Sequence, residues 1–137
     1  MNTLVSELVK RKGVERWSIA PDETVIQALR EMASRDCGAL VVAEENDRVV
    51  GIFSERDYAR KIVLLGRHSD ETLVGEIMTT PVICAEEHWT VEESLRTMME
   101  HRIRHLPVVK DNILLGVLSL RDVAAAVVEP VAADSSI

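Results

Sequence analysis

The sequence reads GIFSERD at residues 51–57 and GVLSLRD at residues 116–122. Each copy begins with a glycine and two apolar residues, continues with a serine, and ends in an arginine followed by an aspartate. A serine just before an acidic turn is typical of a helix start, because its oxygen caps an unpaired backbone N–H and the carboxylate favours the positive helix end. The repetition indicates that one small unit is present twice.

The duplication extends over most of the chain. Residues 3–9 match residues 72–78 and predict a short amphipathic helix in front of each half. Threonine capping boxes at residues 24–27 and 90–93 each predict a second helix, whose apolar side chains recur at spacings of three and four. The two halves therefore share one order of elements.

Short apolar runs between these helices predict strands. The predicted strands cover residues 17–20, 39–42 and 49–53 in the first half, and residues 82–85, 106–109 and 114–118 in the second. A last helix follows in each half, from Glu55 to about Leu65 and from Leu120 to about Val128. The result is an α+β fold of two β-α-β-β-α repeats, 1–66 and 67–129, packed through their sheets with pseudo-twofold symmetry, and a tail, 130–137.

Composition limits the function. The formal net charge of −7 argues against nucleic-acid binding, and 3% aromatic residues cannot form a base-stacking platform. The apolar runs are too short for a membrane helix, and the N-terminus does not resemble a secretory signal, so we expect a cytoplasmic protein. Cys37 and Cys84 have no metal-ligand spacing, which predicts two buried apolar side chains and no metal.

The doubled motif contains more than a helix cap requires. Its glycine leaves room for a ligand to approach the strand, and its arginine offers a rigid set of donors to phosphate. Asp57 and Asp122 can accept hydrogen bonds from ribose hydroxyls, while Ile52 and Val117 can form an apolar wall for a base. Because no nucleophile or catalytic motif accompanies them, the sequence favours ligand binding without turnover.

From Thr3 to about Glu129 the chain resembles a tandem pair of CBS domains, named after cystathionine β-synthase. The resemblance rests on LPVV at residues 106–109 and on both Gly-h-h-Ser-x-x-Asp segments, where h is apolar. It implies a stand-alone CBS pair that forms a flat, disc-shaped homodimer. It also implies two clefts that bind an adenine nucleotide, AMP foremost, with ADP, ATP or NAD as alternatives.

The resemblance implies that each cleft takes its residues from both repeats. One cleft would contain Val117, Ser119, Arg121 and Asp122, faced by Trp17 or Ser18 and by Cys37, Gly38 and Ala39, with Arg104 nearby. The other would contain Ile52, Ser54, Arg56 and Asp57, faced by Val82 or Ile83 and by Ile103, Arg104 and His105. Thr79 or Thr80 could also reach phosphate. Since Gly38-Ala39 in one cleft becomes Arg104-His105 in the other, we expect unequal clefts. Whether Trp17 and His105 serve the clefts or only the core stays open.

Three functions follow. The first is an energy-sensing regulatory module that responds to a nucleotide by a conformational change acting on a protein partner. The second is a docking protein with empty clefts that regulates a partner enzyme such as a thioredoxin. For this reading the predicted dimer seam consists of Tyr58, Ile62, Leu65, Val123 and Val127. The third, an enzyme, has the weakest support.

Overall fold

The computed structural model describes residues 3–12 and 18–135, the side chains of residues 129–135 excepted, so Trp17 lies outside the described residues. The helices are α1 Val5–Lys12, α2 Val25–Arg35, α3 Glu55–Asp57, α4 Val74–Ile77, α5 Val91–His101 and α6 Leu120–Ser135, and a π-helix, Tyr58–Val63, continues α3. The strands are β1 Ser18–Ile19, β2 Ala39–Ala43, β3 Val49–Ser54, β4 Ala85–Glu86, β5 His105–Lys110 and β6 Ile113–Ser119.

Two three-stranded mixed sheets contain these strands, in the orders β1-β2-β3 and β4-β5-β6. In each sheet the first strand pairs parallel to the middle strand, and the third pairs antiparallel to it. Both middle strands are buried along nearly their whole length, as their continuous apolar sequences predict. The α+β fold with two repeats is therefore confirmed.

The two long helices between the first and middle strands are fixed by local sequence at both ends. The hydroxyls of Thr24 and Thr90 accept hydrogen bonds from the backbone N–H groups three residues later, at 3.2 Å in both cases. Each helix ends at a left-handed residue, Asp36 or Arg102, whose N–H bonds back to the last turn. The predicted capping boxes thus mark the true helix starts.

The chain divides into two compact units. The first, here the Asp57 unit, consists of residues 17–82, and the second, the Asp122 unit, consists of residues 1–16 and 83–137. Each has its own core: Leu40, Phe53 and Ile62 belong to the first, and Leu106, Leu118 and Val123 to the second. The compact units do not coincide with the predicted repeats 1–66 and 67–129. These repeat boundaries therefore stay a prediction.

The difference arises from an exchange of the leading helices. Helix α1 precedes the first repeat but packs in the Asp122 unit, where the Val5 N–H donates to the Trp89 carbonyl at 2.9 Å. Helix α4 precedes the second repeat but packs in the Asp57 unit, where the Val74 N–H donates to Glu23 at 2.9 Å. Each repeat thus completes its core with the helix that precedes the other.

The first strand of the second half corrects the predicted alignment. The prediction placed a strand at 82–85 and aligned Ile19 with Cys84. In the structure the strand is Ala85–Glu86, and Ile19 and Ala85 pair with Val42 and Val108 at matching sheet positions. Because neighbouring strand residues face opposite ways, this one-residue shift exchanges the faces and makes Cys84 the counterpart of Ser18.

The predicted dimer seam is wrong at two positions. Ile62 and Val123 are 2% and 0% exposed and lie within the cores of their units. The exposed apolar side chains near the end of the π-helix are instead Val63, Leu64 and Leu65. The π-helical turn widens the helical repeat, so the apolar spacing of an ordinary α-helix does not identify its outer face.

Candidate functional site

The doubled motif forms the same cap in both units. The Ser54 hydroxyl accepts the Asp57 N–H at 3.2 Å, and the Asp57 carboxylate accepts the Ser54 N–H at 3.0 Å. In the other unit the Ser119 hydroxyl accepts the Asp122 N–H at 3.0 Å, and the Asp122 carboxylate accepts the Ser119 N–H at 2.9 Å. The capping interpretation is confirmed, and any ligand role of these residues comes in addition to it.

Asp57 is buried and engaged on both oxygens. Oδ1 accepts the Thr79 hydroxyl at 2.7 Å and lies 3.1 Å from the Lys61 ammonium, while Oδ2 accepts both the N–H and the hydroxyl of Ser54. Lys61 also donates to the Ile77 carbonyl at 2.9 Å. Since a carboxylate offers about four acceptor positions, the Asp57 carboxylate is saturated by its own unit.

Thr79 also forms an isolated antiparallel bridge with Ile52 of β3. The Thr79 N–H donates to the Ile52 carbonyl at 2.7 Å, and the Ile52 N–H donates back to the Thr79 carbonyl at 3.0 Å. Ile52, predicted to contact a base, therefore has both backbone polar groups paired with the segment after α4. Thr79 therefore donates its N–H to a strand carbonyl and its hydroxyl to the Asp57 carboxylate at the same time.

Asp122 is the more accessible of the two aspartates. Its side chain is 30% exposed, and its Oδ2 accepts the Lys12 ammonium at 2.7 Å. The same ammonium donates to the Val117 carbonyl at 3.2 Å. Burial raises the pKa of Asp122, but the hydrogen bonds from Lys12 and Ser119 outweigh burial and leave the pKa below its ordinary value. The carboxylate is therefore ionised at neutral pH and available as an acceptor.

The motif glycines have a different role from the predicted one. A Cβ on Gly51 would collide with the side chain of Met78, and a Cβ on Gly116 would lie 2.8 Å from Val9 Cγ1. Val9 belongs to α1, and Met78 follows directly after α4. The space that the sequence assigned to a ligand is thus filled by Val9 of α1 in one unit and by Met78, just after α4, in the other, which explains the glycine in both copies.

The start of each middle strand lies beside the motif of its own unit. Ala39 pairs with Ser54, and the Gly38 carbonyl accepts the Glu55 N–H at 3.0 Å. His105 pairs with Ser119, and the Arg104 carbonyl accepts the Leu120 N–H at 2.8 Å. The structure thus brings each strand start to the motif of its own unit. Their predicted use opposite the other repeat's motif stays a prediction.

A shallow depression of about 590 Å³ runs along the start of α6. It is lined by Arg104, Leu120, Arg121, Ala124, Ala125 and Val128. Arg104 and Arg121 are both exposed and both line this mainly apolar depression, and an arginine guanidinium is a suitable donor to phosphate. Arg56 is also exposed, at the first turn of α3.

His105 is held in its neutral form. Burial lowers its pKa, and the positive charges of Lys12 and Arg104 lower it further, against the opposing influence of Asp122. The two cysteines are half-buried, and burial raises the pKa of the Cys37 thiol and raises that of Cys84 to about 11. Neither thiol is therefore a reactive thiolate at neutral pH.

The remaining predicted residues lie on the strands and their approaches. Ser18 is half-buried and pairs with Val41. Val82 and Ile83 are half-buried and fall on opposite sides of the division between the units. Ile103 packs against the core of the Asp122 unit. Their contact with a ligand stays a prediction.

Sequence reasoning missed the two lysines. Lys61 follows Asp57 by four residues on a helix, and this spacing could have indicated an ion pair. Lys12 lies in the stretch 10–16 that makes the first half longer than the second, so the repeat supplied no counterpart for it. Among residues 3–12 and 18–135, no cluster of His, Cys, Asp and Glu could hold a metal ion.

Comparison with known proteins places this arrangement in a family. The model of the CBS domain matches residues 5–64 and again residues 74–129. The chain belongs to the CBS domain family, which confirms the resemblance stated above.

Individual relatives are similar along nearly the whole chain. A mitochondrial CBS domain-containing protein of Arabidopsis thaliana is 39% identical, and the match covers 93% of this chain and 66% of the relative. A structure of a putative signal-transduction protein with CBS domains from Burkholderia ambifaria is 38% identical, with a TM-score of 0.80 over 91% of this chain and 93% of that one. A CBS domain protein from Pyrobaculum aerophilum, complexed with AMP, is 31% identical, with a TM-score of 0.74 over 89% of each chain.

The mitochondrial relative leaves the cytoplasmic location a prediction. Within the described parts of the chain, no helix is both long enough and apolar enough to cross a membrane.

Proposed function

We propose that this chain is a regulatory module that binds an adenine nucleotide at the Asp122 motif and transmits its occupancy to a protein partner. The observation that carries the proposal is the ionised, partly exposed Asp122 carboxylate at the start of α6, directly after Arg121, which lines the depression together with Arg104. Asp122 would accept the ribose hydroxyls, and the arginines would bind the phosphate. The AMP complex of the Pyrobaculum relative supports AMP as the first ligand to test.

The experiment is a calorimetric titration with AMP, ADP, ATP and NAD, and with GMP as the base control. We expect binding that Asp122→Ala weakens about tenfold or more, because a hydrogen bond to a charged group contributes about 1.5–3 kcal/mol. Glu100→Ala removes an exposed acid of the same unit and serves as the charge control. Equal affinity in the wild type and Asp122→Ala would refute the site.

The proposal assigns no catalytic step to the chain. Incubation with each nucleotide, followed by chromatography, should return the nucleotide unchanged. Product formation that Asp122→Ala abolishes would instead establish an enzyme.

One observation favours the docking function. Val63, Leu64 and Leu65 are 56%, 76% and 68% exposed in a row, and such contiguous apolar side chains are typical of interaction surfaces. A homodimer and a partner enzyme such as a thioredoxin are the proposed occupants. Light scattering of the wild type and of Leu64→Asp tests the dimer, which the substitution should dissociate if this surface forms it.

A further inference from the structure

The two units have the same pair of acceptors, filled in different ways. In the Asp122 unit the pair is the Val117 carbonyl and the Asp122 carboxylate, and the Lys12 ammonium donates to both, at 3.2 and 2.7 Å. In the Asp57 unit the corresponding pair is the Ile52 carbonyl and the Asp57 carboxylate, and Thr79 donates to both, at 2.7 Å each. Each unit therefore supplies its own donor to its aspartate and to the neighbouring strand carbonyl.

The two donors differ in how firmly they are held. Thr79 is fixed by a pair of backbone hydrogen bonds with Ile52, and Lys61 supports Asp57 from the other side. Removing Thr79 would break this bridge and take one hydrogen bond from a buried carboxylate, which would keep Lys61 and Ser54 as partners. Lys12 reaches Asp122 by a flexible four-carbon side chain, and its pairing is partly exposed to water. Only the second donor can be displaced without opening the backbone.

We infer that the Lys12 ammonium is a built-in competitor for the ribose at Asp122, and that a nucleotide binds there by displacing it. This inference rests on the proposed function. The Asp57 acceptor pair stays closed by Thr79, so the chain binds one nucleotide rather than two. Because Lys12 is the last residue of α1, displacing it releases the end of that helix from the site. The occupancy of the site is thereby linked to a helix that precedes the other repeat.

The test compares adenosine with AMP in the full chain. Adenosine has the ribose hydroxyls but no phosphate, so it isolates competition for Asp122 from attraction of an anion. Lys12→Met should lower the Kd for adenosine about fivefold, as expected for removing a competing ion pair of about 1 kcal/mol. Lys12→Arg keeps a cation and should retain most of the wild-type Kd. Lys10→Met removes the same charge from an exposed position of the same helix and should leave the Kd for adenosine within about twofold.

The outcomes separate this inference from the proposed function. If Lys12→Met leaves the adenosine affinity unchanged or weakens it, while Asp122→Ala still weakens AMP binding, Lys12 is not a competitor and the proposed nucleotide function is unaffected. If neither the wild type nor Lys12→Met binds any adenine ligand, both proposals fail. A stoichiometry of two nucleotides per chain would refute the closed Asp57 pair.

Hydrogen exchange gives a readout that does not depend on affinity. Saturating AMP should speed the exchange of the backbone amides in α1 of the wild type, because their last turn loses its anchor. In Lys12→Met these amides should already exchange fast, and AMP should change them little. Slower exchange of the α1 amides with AMP in the wild type would overturn the inference. A thermal melt of each variant serves as the control that it is folded.

Discussion

The Asp57 and Asp122 units have the same motif, the same cap and the same strand order, yet their aspartates differ in availability. The Asp57 side chain is 7% exposed, whereas that of Asp122 is 30% exposed. The difference comes from residues outside the motif, Thr79 and Lys61 in one unit and Lys12 in the other. The same local cap can thus hold a buried, fully engaged carboxylate in one repeat and a partly exposed one in the next, according to what packs on it.

Removing the two aspartates should produce the largest difference between the units. Asp57→Ala leaves the Thr79 hydroxyl, the Lys61 ammonium and the Ser54 N–H without their acceptor, and should lower the free energy of unfolding by about 2–3 kcal/mol. Asp122→Ala breaks a more exposed pairing and should cost about 1 kcal/mol. Urea denaturation measures both. Equal losses would contradict the structural role assigned to Asp57.

The motif glycines should be sensitive in both units. Gly51→Ala forces the Met78 side chain to move and Gly116→Ala forces the Val9 side chain to move, each at a cost of about 1–3 kcal/mol. Truncating the opposing side chain should relieve the collision, so Met78→Ala should cost less in the Gly51→Ala background than alone. A double-mutant cycle by denaturation measures this coupling. Additive losses would mean that helix packing is not what requires the glycine.

Nucleotide affinity, unlike stability, should depend on Asp122 more than on Asp57. Asp57→Asn keeps the shape of the side chain in the closed unit and should leave the Kd for AMP within about twofold, while Asp122→Asn should raise it about tenfold. The measurement is calorimetry on variants whose folding is verified by circular dichroism. Loss of binding in both variants would show that the two aspartates are equivalent after all.

The smallest expected effect is a change in the pKa of His105. His105 has Ala39 as its counterpart beside Ser54, so its titration reports on the Asp122 unit alone. Since its pKa is lowered in the folded protein, the unfolded chain binds more protons just below pH 6.5, and stability should rise with pH across that window. Lys12→Met removes one repelling charge and should raise the His105 pKa, with burial still keeping it below its ordinary value.

Proton NMR of the His105 ring follows that pKa directly. The Lys10→Met variant serves as the control, because it removes an exposed charge from the same helix. A His105 pKa that shifts equally in both variants would mean that Lys12 acts on it only through the net charge.

The parts of the fold predicted from sequence are those fixed by neighbouring residues. Thr24 and Thr90 identify their helix starts because a cap needs only a hydroxyl and an N–H a few residues away. The middle strands follow from their continuous apolar runs. The strand predicted at 82–85 was aligned one residue too early, because a two-residue strand has too little alternation of apolar and polar residues to show which face is buried. The seam residues Ile62 and Val123 failed because the packing of a helix decides which of its apolar side chains are buried.

In the candidate site, too, the local features followed from the sequence and the long-range contacts did not. Sequence alone determined that the chain holds two copies of a glycine, serine, arginine and aspartate motif at helix starts, since duplication and capping are both local in sequence. Only the tertiary structure decided that α1 joins the Asp122 unit and α4 the Asp57 unit. That exchange brings Lys12 to a residue more than a hundred positions away and Thr79 to Asp57. Charge and hydrogen-bond partners depend on distance in space, so which aspartate stays available could not be determined from the motif itself.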